Sequence, residues 1–154
     1  MSTIMERIDV DVPVTTAYNQ WTQFEEFPRF MDGVEEVRQL DDSRLHWVAE
    51  IAGQRREWDA KIMEQVPDRV IAWQSEEGAQ LAGRVTFEPV GDDRTRIMLE
   101  MSYDPQGVVE TVGDVLGIVD RRVKRDLERF TGFVEQRGVE TGAWRGEIHA
   151  GRKQ

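Results

Sequence analysis

One run of apolar residues near the end of the chain limits its possible folds more than any other feature. From Val108 to Val134, apolar side chains recur at every third or fourth position. This spacing places them along one side of an α-helix, which would end near Arg137 because Gly138 is a natural helix stop. A helix of about 45 Å with one apolar side needs a long apolar surface to cover it. The residues concerned are Val108, Val112, Val115, Val119, Val123, Leu127, Phe130 and Val134.

The preceding part of the chain can supply that surface, because most of it alternates between apolar and polar residues. Ile8, Val10 and Val12 form one side of a first strand that ends at Pro13. Two short helices are predicted next, the second around Pro28. Alternation interrupted by turn residues then predicts a six-strand meander with one buried face. Its inward residues include Leu45, Trp47, Ala49, Ile51, Trp58, Ala60, Ile62, Leu81, Gly83, Val85, Phe87, Ile97, Leu99, Met101 and Tyr103.

Together these elements predict an α+β fold. A curved antiparallel seven-strand sheet would wrap around the long C-terminal helix, with two short helices after the first strand. We assign residues 1–137 to a single domain. Residues 138–154 are rich in glycine and charge and show no periodicity, so they are predicted to form a flexible C-terminal tail in which Trp144 could dock back on the domain.

Charge and composition narrow the classes of partner. The chain carries 30 acidic and 20 basic residues, a net charge of -10, which repels nucleic acid and anionic lipid head groups. No apolar run approaches the length of a transmembrane helix. The N-terminus does not resemble a secretory signal, and the chain contains no cysteine, so we expect a cytoplasmic protein. The oligomeric state is left open.

The order of the elements, together with several local patterns, resembles the START-like helix-grip superfamily. The likeness is to its bacterial polyketide cyclase/dehydrase and coenzyme Q-binding-like branch, and it covers about residues 3 to 137. The patterns that carry it are Val12-Pro13 leading into Trp21, Phe24 through Phe27-Pro28 to Val34, Val66-Pro67-Asp68 before Ala72-Trp73, Gly83 to Phe87, and Asp120-Arg121-Arg122 in the terminal helix. These patterns are specific for a fold and not for an activity.

The resemblance implies a cavity between the sheet and the C-terminal helix that holds a lipid, quinone, polyketide or other apolar small molecule. The apolar inward residues permit such a cavity, and Gly83 removes a side chain from it. The same residues would also make an ordinary solid core, and both interpretations stay open. The predicted pocket residues are Phe27, Phe30, Trp47, Trp58, Phe87, Leu99, Met101, Val115 and Val119.

The sequence predicts no metal site, no cofactor and no catalytic residue set. The two histidines, His46 and His149, are far apart in sequence, and neither a zinc-binding spacing nor a phosphate-binding loop occurs. In the aromatase/cyclases that the chain resembles, polar side chains in the cavity steer the substrate. Hand alignment puts Val34, Gln65 and Gln74 at those positions, which argues against the same chemistry.

Two charged residues remain as possible polar contacts in the cavity. Asp126 falls near the apolar side of the terminal helix, where it could orient a ligand or act as a base, or simply pair with Arg122 or Arg129. Arg56 shares a strand face with Trp58. The leading hypothesis is therefore binding of a hydrophobic small molecule. A polyketide cyclase or dehydratase using Asp126 or Arg56 is the alternative, and a scaffold protein is a third possibility.

Overall fold

The computed structural model describes residues 2–31, 34–51, 54–75, 80–104, 112–138 and 140–153. Within these ranges the chain forms strands, two α-helices and a 3₁₀ helix, Phe24–Arg29. The elements are β1 (Ser2–Val10), α1 (Val14–Trp21), β2 (Val34–Asp41), β3 (Arg44–Ile51), β4 (Gln54–Val66), β5 (Val70–Ser75), β6 (Gln80–Gly91), β7 (Arg94–Asp104), α2 (Val112–Arg137), β8 (Ile148–His149) and β9 (Arg152–Lys153).

The main sheet is antiparallel throughout and follows the order β1-β7-β6-β5-β4-β3-β2. Strands β2 to β7 form the predicted meander. Strand β1 lies outside the meander and pairs with β7, and α1 and the 3₁₀ helix separate it from β2 along the chain. The sheet curls over α2, which packs against β1 and α1. The predicted helix-grip α+β fold with seven main strands is confirmed.

Helix α2 presents the predicted apolar side to the sheet. Val123, Leu127, Phe130 and Val134 are all buried in the hydrophobic core. Val108 and the side chains of Val112, Val115 and Val119 lie outside the described residues. In the described part of the chain, no helix is both long enough and apolar enough to cross a membrane.

Aromatic side chains fill the end of the core under α1 and the 3₁₀ helix. The Trp21 ring centroid lies 5.0 Å from that of Phe130, 5.7 Å from Phe27 and 6.1 Å from Phe87. Phe30 also contacts Phe130, at 5.3 Å. Most of these pairs meet edge to face, an arrangement that adds to the stabilisation from burial. The two short helices therefore close one end of the curved sheet with a packed aromatic cluster.

An irregularity in β4 changes which side chains face inward. The register with β5 shifts between Ile62 and Glu64, so Ile62 pairs with Trp73 and Gln65 pairs with Ile71. Without this bulge, alternation from Ile62 would turn Gln65 outward. In the structure Gln65 is only 1% exposed. The bulge thus brings a glutamine into an otherwise apolar face.

The C-terminal segment, residues 140–153, which the sequence predicts to be a flexible tail, lies against the domain in the structure. Its short strand β8 pairs with β4, opposite Gln65, and the Ile148 side chain is fully buried. The Gly151 amide donates a 2.9 Å hydrogen bond to the Met63 carbonyl. Trp144 packs against the core, as predicted. These contacts place residues of the segment against the domain assigned to residues 1–137.

Polar side chains of α1 and the residue after it explain why the C-terminal segment docks. Gln20 both accepts a 2.8 Å hydrogen bond from the Thr141 amide and donates one of 3.1 Å to its hydroxyl. Asn19 donates to Glu140, and the Thr22 hydroxyl accepts from the Trp144 amide. Such contacts between distant polar residues leave no periodic pattern in the sequence.

Candidate functional site

The predicted pocket residues fall into two groups. Phe27, Phe30 and Phe87 belong to the aromatic cluster and are 2%, 3% and 5% exposed. The cavity found next to this cluster measures only about 10 Å³, which is space for at most one water molecule. At this end of the domain the interior is a solid core, the second of the two interpretations left open by the sequence.

The second group is less completely covered, although Trp47 also contacts the aromatic cluster, with its ring centroid 5.7 Å from that of Phe27. Trp47, Trp58 and Met101 are each partly buried, whereas Leu99, two residues before Met101 on β7, is 6% exposed. The Trp47 and Trp58 rings stack with centroids 6.0 Å apart and planes inclined by 2°. Large apolar side chains that remain partly open on a concave face are typical of a binding surface for an apolar molecule.

Trp73 completes this surface, although it was not among the predicted pocket residues. It lies on β5 between Ile62 and Gly83 in the register of the sheet, and it is partly buried. A β-carbon on Gly83 would overlap the Trp73 indole. The space that Gly83 leaves is therefore filled by Trp73. We call Trp47, Trp58, Trp73 and Met101 the tryptophan face.

The two charged residues predicted as polar contacts, Asp126 and Arg56, do not add evidence for a ligand site at the tryptophan face. Asp126 is 8% exposed and is engaged with another group in the structure. The side chains of Arg56, Val115 and Val119 lie outside the described residues. The position predicted for Gln74 is wrong: Gln74 pairs with Lys61 and Ala82 on the outer face and is exposed, because Trp73 beside it points inward.

Several buried polar atoms lack a hydrogen-bond partner among the described residues. They are the Tyr18 hydroxyl, the indole nitrogens of Trp21 and Trp47, and both amide atoms of Gln65. Burial is the main reason that the pKa of Tyr18 is raised to about 12, and the neighbouring Gln65 amide opposes that shift. A buried polar group without a partner costs about 1–3 kcal/mol. Sequence patterns gave no sign of this cluster.

On the outer face, His46 lies between two carboxylates. Its Nδ1 is 2.7 Å from Asp59 Oδ1, and its Nε2 is 3.1 Å from Glu57 Oε1. Hydrogen bonds to Asp59 and then to Glu57 raise the pKa of His46. The prediction that His46 points away from the interior is confirmed. Across the described residues, no group of three or more histidine and acidic side chains could hold a metal ion.

Comparisons with known proteins agree with this architecture. The model of the polyketide cyclase/dehydrase and lipid transport family matches residues 10–131. An uncharacterised 17.2 kDa protein from the melC2-rnhH intergenic region of Streptomyces lincolnensis is 54% identical over 149 residues, which is 96% of this chain and 99% of that protein.

Two solved structures share the fold at low sequence identity. The Zhui aromatase/cyclase from Streptomyces sp. R1128 has a TM-score of 0.80 and 16% identity, covering 93% of this chain and 99% of its own. A START superfamily protein from Mycobacterium smegmatis has a TM-score of 0.69 and 16% identity, covering 88% and 95%. At such identities the likeness speaks for the fold and not for a shared reaction.

Proposed function

This chain belongs to the polyketide cyclase/dehydrase and lipid transport family, and on that premise we propose that it binds a largely apolar small molecule against the tryptophan face. Molecules of the lipid, quinone or polyketide type fit this description. The site would lie between the inner face of the sheet and α2.

The observation that carries the proposal is the incomplete burial of the large apolar side chains of the tryptophan face. The phenylalanines of the aromatic cluster are buried, and the cavity beside them, which Trp47 and Trp73 also line, is about 10 Å³. Trp47, Trp58 and Trp73 are equally large but stay partly open. Covering them with a ligand would remove apolar surface from water, at about 25 cal/mol for each Å².

A neutral apolar dye provides a direct test. N-phenyl-1-naphthylamine should bind to the protein, gain fluorescence and quench the tryptophan emission. Trp58→Ala should weaken its binding about tenfold, because the variant loses an aromatic contact and the area that goes with it. Trp144→Phe, a change outside the tryptophan face, is the matched control and should bind the dye like the parent protein.

Native mass spectrometry of gently purified protein complements the dye measurement. We expect a fraction of the protein to carry a copurified apolar molecule, and lipid or quinone extracts to increase that fraction. A protein that is always empty and does not bind the dye would contradict the proposal. Equal dye affinity for the parent and for Trp58→Ala would reject the tryptophan face as the site.

The cyclase or dehydratase alternative has weaker support from the residues. A ring-closing aldol needs groups that stabilise an enolate and transfer a proton. Of the three aligned positions, Val34 is apolar, Gln74 is exposed on the outer face, and Gln65 is a neutral amide. If Asp126→Asn abolished turnover of an aromatic polyketide precursor by an otherwise active parent, the enzyme hypothesis would become the stronger one.

A further inference from the structure

Tyr18 and Gln65 form a buried polar pair beneath α1. Tyr18 is 0% exposed and Gln65 is 1% exposed. Within the described residues, neither the Tyr18 hydroxyl nor either amide atom of Gln65 makes a hydrogen bond of good geometry, although the two side chains lie close enough for hydrogen bonding by Gln65 to lower the pKa of Tyr18. Native proteins satisfy most buried polar atoms with protein groups, ordered water or a ligand. These two neighbouring side chains therefore retain hydrogen-bonding capacity that another group could use.

The position of Gln65 connects this pair to the tryptophan face. Gln65 pairs with Ile71 on β5, and Ile71 is two residues from Trp73 on the same face of that strand. Two residues along a strand correspond to about 7 Å. The small cavity lined by Ile62, Ile71 and Trp73 lies in the same part of the core. For the polar end of a molecule on the tryptophan face to reach Gln65, the side chains around this cavity would have to move, because the cavity holds at most one water molecule.

The electrostatics of the pair select the kind of group that it can hold. Burial raises the pKa of Tyr18, so its hydroxyl stays protonated and can donate a hydrogen bond at neutral pH. The Gln65 amide is an uncharged donor and acceptor. Arg145 lies over the Tyr18 ring at 5.6 Å, but its charge is matched by Asp68 through hydrogen bonds of 3.0 and 2.9 Å. Because Arg145 is already paired with Asp68, a carboxylate or phosphate group buried here would gain little from its charge, so the pair favours uncharged groups.

The C-terminal segment closes the pair from the outside. Ile148 is fully buried opposite Gln65, and Arg145 stacks on Tyr18. Both residues lie beyond residue 131, where the family match ends. This wall separates the pair from bulk water, and a hydrogen bond made inside is stronger than one made in bulk water.

We propose that Tyr18 and Gln65 form a neutral hydrogen-bonding subsite that receives an uncharged oxygen, a hydroxyl or carbonyl, at the polar end of the ligand. This inference rests on the proposed function and deepens it. The ligand would be an apolar molecule with one neutral polar end, and an ordered water would occupy the subsite in its absence.

Three probes that share one ring system test the subsite: naphthalene, 2-naphthol and 2-naphthoate. Their dissociation constants would be measured by equilibrium dialysis at pH 7 for the parent, Gln65→Leu, Tyr18→Phe and Gln74→Leu. The quantity compared is the preference for 2-naphthol over naphthalene. We expect it to fall about fivefold in Gln65→Leu and in Tyr18→Phe, the size of one lost neutral hydrogen bond. It should be unchanged in Gln74→Leu, which alters an exposed glutamine on the outer face, and 2-naphthoate should bind more weakly than 2-naphthol.

The possible outcomes separate this inference from the function on which it rests. An unchanged preference in both Gln65→Leu and Tyr18→Phe would overturn the subsite, and so would binding of 2-naphthoate as tight as that of 2-naphthol. Binding of naphthalene would still support the proposed function in those cases. If the parent bound none of the probes, the proposed function would fail together with the subsite. Should Gln65→Leu fail to fold, Tyr18→Phe, which removes a single hydroxyl, decides the question alone.

Discussion

At Gly83 the absence of a side chain determines how the inner face packs. The Trp73 indole occupies the space where a β-carbon at Gly83 would lie. Gly83→Ala should therefore displace Trp73 and destabilise the protein by about 1–3 kcal/mol, the usual cost of overpacking. Urea unfolding gives the stability, and the tryptophan emission spectrum reports the displacement.

A second glycine provides the control for that substitution. Gly132 lies in α2, and a β-carbon there would meet nothing within 4 Å. Gly132→Ala should stabilise the protein by about 0.5–1 kcal/mol, because alanine loses less backbone entropy in a helix. If both alanine variants changed stability in the same direction, close packing of Trp73 on Gly83 would not be the cause.

His46 should make stability depend on pH. Its folded-state pKa is raised by Asp59 and Glu57, so the protonated form favours folding. This contribution is fully present below the unfolded pKa of about 6.5 and is lost as the pH rises through the folded pKa. The difference in urea midpoint between the parent and His46→Gln should be larger at pH 5.5 than at pH 9. An equal difference at both values would contradict the role of the two carboxylates.

At the scale of elements, the docking of the C-terminal segment depends on one buried side chain. Ile148 is 0% exposed, and Ile148→Ala should cost about 2–4 kcal/mol of unfolding free energy. Leu40→Ala is the matched control, because Leu40 is 51% exposed and its truncation should cost less than about 0.5 kcal/mol. Equal urea midpoints for the two variants would show that Ile148 does not anchor the segment.

The helices and strands were predictable because each type of element has its own periodic pattern of apolar residues in the sequence. Alternation predicted the strands, and the recurrence of valine every third or fourth residue predicted α2. The bulge at Ile62 and Glu64 was not predictable, because a register shift depends on the neighbouring strand. Strand β8 was missed for a related reason: it has two residues, and its one buried side chain, Ile148, forms no pattern.

At the scale of the whole molecule, the fold was easier to predict than the degree to which each inward side chain is covered. Sequence patterns placed Phe27, Phe87 and Trp58 on the buried side alike, but they cannot show how completely each one is covered. The degree of burial depends on how the elements pack together. Phe27 and Phe87 are buried in the aromatic cluster, whereas Trp58 is only partly buried. Gln65 and Tyr18 come together only after the bulge and α1 are both in place.

Hydrogen exchange can measure whether the C-terminal segment, residues 140–153, unfolds together with the rest of the domain. The amides of Thr141, Trp144 and Gly151 donate hydrogen bonds to Gln20, Thr22 and Met63. We expect these three amides to exchange at rates comparable to those of the sheet, because opening them would uncover Ile148 and the buried pair of Tyr18 and Gln65. Exchange at the rate of an unstructured peptide would instead support the flexible tail that the sequence predicts. Removing residues 140–153 should then leave the stability unchanged, whereas a docked segment requires a clear loss.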